Sequence, residues 1–124
     1  MTILNKEIYK KLISLVDKNV VVYPGFARAE PRFPFIVYND DSSEANATKL
    51  GIFSDTVSVS IVICSESFDR TDEITDKVRA GFMNFGHKQI KSCMRKRGSA
   101  ECYKQGEPLV FQRTLIYEIN FSNN

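Results

Sequence analysis

Ile8, Leu12, Leu15 and Val16 recur at helical spacing, with Leu4 one turn earlier and Lys6, Lys10, Lys11, Asp17 and Lys18 around them. This pattern predicts an amphipathic helix near residues 5–18, capped by Asn5 or Thr2. Val20 to Tyr23 is a β-branched run closed by Pro24-Gly25, a turn pair, and predicts a short strand. Pro31 and Pro34 then precede Phe35-Ile36-Val37-Tyr38. Proline removes a ladder donor and holds its predecessor extended, so strand pairing is expected only after Pro34. Residues 39–54 are polar and aperiodic, a long loop or a mobile hairpin extension.

From Thr56 to Cys64 the alternation is strict: Val57, Val59, Ile61 and Ile63 share one face, Thr56, Ser58 and Ser60 the other. This is a strand with one buried face. Asp69 or Thr71 is placed to cap a second helix near residues 70–85, whose stripe is Ile74, Val78, Gly81, Phe82 and Phe85, with Gly86 as its stop. The last third reads as three strands: Gln89–Met94, Ser99–Tyr103 and Leu109–Phe121, with a hairpin turn at Arg95-Lys96-Arg97-Gly98 and a second turn at residues 105–108. On the last strand Leu109, Phe111, Leu115, Tyr117, Ile119 and Phe121 share one face, which Arg113 interrupts. Runs of strands with few helices predict an α+β fold: a largely antiparallel sheet of about five to six strands with two amphipathic helices on one face. No linker or repeat divides residues 1–124, so one domain is expected.

Composition changes this picture little. At 43% hydrophobic and 26% charged residues, the chain is an ordinary globular one, and a net charge of +2 supplies no global field for nucleic acid or membrane. Three cysteines, an odd number, point to reduced thiols in a cytosolic setting. The N-terminus lacks the uninterrupted apolar core of a signal peptide, and no stretch approaches a membrane span.

Candidate chemistry is sparse. The one histidine, His87, follows the second helix with no nucleophile near it, and the cysteines form no paired motif for zinc. Cys64 and Cys102 are expected as small core residues. The acids Asp40, Asp41 and Glu44 lack calcium-loop spacing and read as a solvated segment. Asp69, Asp72, Glu73 and Asp76 suit the helix dipole. No phosphate loop, dinucleotide fingerprint or nucleophile elbow is present, so neither enzyme activity, metal nor cofactor is expected. One asymmetry remains. Lys88, Lys91, Arg95, Lys96 and Arg97 concentrate base in one segment. Aromatics are not interleaved with them, so a solvated or protein-contacting surface is favoured over specific nucleic-acid binding.

The order of these pieces is distinctive: an N-terminal helix, Val22-Tyr23-Pro24, Pro34 to Tyr38, a polar segment, DTVSVSIVICSES, EITDKVRAGF and finally FQRTLIYEINF. It resembles the tail-completion, or tail-terminator, proteins of tailed bacteriophages and prophages, over nearly the whole chain. The resemblance implies a structural subunit of the virion tail or neck, assembled in the bacterial cytoplasm. It implies a ring, typically a hexamer, that caps the tail tube, stops its polymerisation and meets the head–tail connector. Partners would be other copies, the tail tube protein and the connector protein, with no membrane. The interaction candidates are Arg28 and Arg32 in the proline-rich arm, Asp40, Asp41 and Glu44 in the polar segment, and the basic cluster from Lys88 to Arg97. Competing expectations are another neck, head-completion or minor tail component, and a small nucleic-acid-binding module using residues 88–97.

Overall fold

The structure, a computed structural model, describes residues 2–25, 32–48, 51–104 and 109–122. Its elements run α1 (Thr2–Leu15), β1 (Val21–Pro24), β2 (Phe35–Thr48), β3 (Gly51–Ser65), α2 (Phe68–Gly81), β4 (Ile90–Lys104) and β5 (Leu109–Ser122). The strands form one sheet in the order β1-β2-β3-β5-β4. Every neighbouring pair is antiparallel except β1 with β2, which is parallel. The fold is α+β, as the strand-rich pattern predicts.

The β3 alternation sets the layers. Val57, Val59, Ile61 and Ile63 are fully buried, and the register places Val57 beside Ile119, Val59 beside Tyr117 and Ile61 beside Leu115. Ile36 and Tyr38 of β2 continue this face beside Ile63 and Ile61. Both helices contribute to the same core: Leu4, Ile8 and Leu12 from α1, and Ile74 and Val78 from α2 with Phe82 just beyond it. Both sets have the four-residue spacing that puts side chains on one helical stripe. Each such side chain removed from water contributes about 1.5–3 kcal/mol. The other face of β3, Thr56, Ser58 and Ser60, is only half-buried.

Helix boundaries differ from the sequence expectation for local reasons. Ser67, not Asp69 or Thr71, caps α2: its backbone is extended and its hydroxyl accepts the Arg70 N–H at 3.2 Å. Asp69 already lies in the first turn, where its charge suits the dipole. Thr71 and Thr75 are buried because their hydroxyls donate back to the carbonyls of Ser67 (2.8 Å) and Thr71 (2.7 Å). The helix ends at Gly81 rather than 85, yet Phe85 still meets Phe82 edge to face, with ring centroids 5.1 Å apart, and packs on the core. Its periodicity therefore reported packing, not helix. Helix α1 likewise stops at Leu15, where Asp17 begins a turn that accepts the N–H groups of Asn19 and Val20. At Pro34 the chain contributes only its carbonyl, which accepts the Val21 N–H at 3.2 Å, and β2 starts one residue later.

The largest correction concerns the last third. Residues 95–98 are not a turn: β4 is one strand through Lys104, so two strands stand where three were expected. The pairing with β5 skips a residue between Ile90 and Ser92 and again between Arg95 and Arg97. These bulges absorb Lys91 and Lys96 and break the alternation that would mark a strand in the sequence. Residues 39–48 and 51–54 are likewise paired, as an extension of the β2–β3 hairpin with its own shifts at Asp40/Ser42 and Asn46/Ala47.

Candidate interaction surface

A sheet of this order has two edges, and the candidate residues distribute between them. β4 is an edge strand, paired with β5 alone among the described strands. Lys88, Lys91, Arg95, Lys96 and Arg97 are all exposed along it or just before it. Lys96 approaches Glu118 of β5 at 3.9 Å, and the other four form no ion pair among the described residues. Met94, 57% exposed, stands among these bases and was not singled out from the sequence.

The other edge is stepped. β1 covers β2 only from Phe35 to Tyr38. Residues 39–48 of β2 have no second strand neighbour among the described residues. Asp40 is exposed there, in register with Val59. Asp41 and Glu44 occupy backbone positions of the same stretch, Glu44 in register with Thr56, and their side chains lie outside the described residues. Arg32 is exposed beside β1, its N–H 3.5 Å from the Tyr23 hydroxyl, while Arg28 lies outside the described residues. The structure thus does not bring the acidic candidates and the basic cluster of residues 88–97 together. They lie on opposite edges, separated by β3 and β5, about 14 Å apart at the usual strand spacing, while Arg32 stands on the β1 side with the acids.

A groove of about 510 Å³ lies between α1 and β1, lined by Asn5, Lys6, Tyr9, Lys10, Val22, Pro24 and Tyr38. Tyr9 separates it from a neighbouring hollow that Ile13 lines; both side chains are exposed, one turn apart and off the buried stripe. That spacing was the available sequence signal for this second apolar face.

The groups with intrinsic reactivity are placed for structure. The Nδ1 of His87 accepts the Gln89 N–H at 3.1 Å, ordering the approach to β4. Cys64 and Cys93 are buried free thiols, and burial pushes them up to about 11 and about 12, which suppresses the nucleophilic thiolate. Cys102, expected in the core, has its side chain outside the described residues. Among the described residues no group of three or more His, Cys, Asp or Glu is placed to hold a metal ion. No described helix is long and apolar enough to cross a membrane.

The chain matches no family model and no curated protein. Among solved structures it is similar to a chain of the virion of the native gene transfer agent (GTA) particle. That likeness has a TM-score of 0.74 at 11% identity and covers 97% of this chain and 95% of the other. The two therefore share their architecture from end to end.

Proposed function

We propose that this chain is a structural subunit of a phage-like particle, and specifically a tail-terminator. It would cap the tail tube as an oligomeric ring, end tube polymerisation and join tail to head. The observation that carries this reading is the end-to-end likeness of fold to a virion chain, with almost nothing left over in either protein. The order of segments resembling tail-terminator proteins supports the finer assignment. The surface suits it: two sheet edges open among the described residues and exposed apolar side chains on α1 are material for subunit contacts. The proposed role is structural and requires neither catalytic group nor cofactor. Its partners would be further copies, in a hexamer by the resemblance, together with tail tube and head-connector proteins. The site of action would be the virion tail or neck, reached from the host cytoplasm.

Electron microscopy of particles produced with this gene inactivated tests the proposal. Filled tailless heads beside over-long or ragged tubes are expected. Joined particles with tails of normal length would overturn it. The exposed basic edge favours one second reading, a nucleic-acid contact. Binding through about five phosphates would give a log–log salt slope of about −4 to −5, whereas a protein-contacting edge shows no such binding.

A further inference from the structure

We propose that the acidic edge of β2 and the basic edge of β4 are the two halves of one interface, through which neighbouring copies join their sheets antiparallel and head to tail. This rests on the ring reading above and assigns its contact surface.

Three observations carry it. First, the sequence of residues 39–48 contains Asp40, Asp41 and Glu44 and no Lys or Arg, whereas residues 88–100 contain five bases and no acid. Second, both stretches lie at edges of the same sheet, where backbone N–H and C=O groups lack a strand partner among the described residues. Third, the directions fit. β2, β3, β5 and β4 reverse direction at each step, so β2 and β4 run oppositely. Rotation about an axis along the strands therefore brings β2 of one copy antiparallel to β4 of the next. The same rotation leaves every helix layer on one side of the assembly.

Charge decides which edges meet. Two β4 edges would set lysines and arginines against each other, and two β2 edges would set acids against acids; like charges directly opposite disfavour both pairings. The bulges at Lys91 and Lys96 further bar indiscriminate strand addition. What remains is the heterologous contact, in which different patches meet and a closing rotation makes a ring. Residues 39–48 offer about 30 Å of edge for it.

The test uses two charge-reversed variants of the full chain. One carries Lys91→Glu, Arg95→Glu and Arg97→Glu; the other carries Asp40→Lys, Asp41→Lys and Glu44→Lys. Each alone should weaken self-association at least tenfold in light scattering or native mass spectrometry. Mixed in equal amounts, they should recover the wild-type assembly in alternating order, since each then presents a complementary edge. Circular dichroism checks that each is folded, and glutamine or asparagine replacements substitute for a reversal that unfolds the chain. Variants that assemble alone like the wild type would overturn the interface while leaving the ring intact. Recovery absent from a mixture of folded variants would also overturn it. A wild-type chain that stays monomeric at millimolar concentration would overturn the ring reading, and this inference with it. Loss of binding to a short DNA duplex without change in assembly would assign the β4 edge to nucleic acid instead.

Discussion

Arg113 of β5 reaches across to Asp72 of α2, its Nη2 3.1 Å from the carboxylate Oδ1. Its guanidinium also lies 5.8 Å from the centre of the Phe68 ring. The one charge on the otherwise apolar face of β5 is thus a tie between sheet and helix, placed where α2 begins. The side chains are 29% and 49% exposed, so solvent screens much of the attraction. A double-mutant cycle with Arg113→Ala and Asp72→Ala, followed by urea unfolding, should give a coupling of about 0.5–1 kcal/mol. A coupling indistinguishable from zero would remove the pair from the stability of the fold.

Tyr117 packs at a tilt against Phe82 with ring centroids 4.6 Å apart and is 1% exposed, yet its hydroxyl has no hydrogen-bond partner among the described residues. A buried unsatisfied hydroxyl carries a desolvation cost of about 1–3 kcal/mol, of which removal returns a part. Tyr117→Phe should therefore leave stability unchanged or raise it by about 1 kcal/mol in denaturant unfolding. A loss above about 1 kcal/mol would show that the hydroxyl is bonded in solution.

Asp17, just after α1, pairs with Arg70 of α2 at 2.5 Å, and that hydrogen bond lowers the carboxyl below its ordinary value. The unfolded chain then takes up the proton first as pH falls. The stabilisation is complete above the ordinary carboxylate value and disappears as pH drops through the lower folded-state value. Asp17→Asn should lower stability at neutral pH and flatten its dependence below about pH 4. Parallel acid titrations of the wild type and variant would contradict this.

Deleting residues 42–52 shortens the β2–β3 hairpin beyond the pair Asp40–Val59 and keeps Ile36, Tyr38, Val57, Val59, Ile61 and Ile63, the buried apolar residues described at the centre of both strands. The deletion variant should fold cooperatively and keep the core signature in near-ultraviolet circular dichroism. It should fail to form the ring and to attach tails. Normal assembly of this variant would remove the hairpin from the contact surface.

The parts of this fold legible in the sequence were those where one physical cause acts alone. Val57 to Ile63 alternate because one face is buried and the other is not, and Leu4, Ile8 and Leu12 repeat because one stripe of a helix is buried. Legibility ended where two causes overlap. Lys91 and Lys96 sit in bulges, so β4 imitates a turn, with Gly98 completing the disguise. The parallel pairing of β1 with β2 leaves no local trace, because it depends on a chain return rather than on residue pattern. The candidate charges were readable as clusters. Their placement on opposite edges of one sheet required the strand order, which no single segment encodes.

The most direct test of the account is to add the purified chain to growing tail tubes of its parent particle and image them by negative-stain electron microscopy. The account predicts a closed ring at one end of each tube and tubes whose length stops increasing once the chain is present. Tubes that keep growing with bare ends at every concentration of the chain would contradict it.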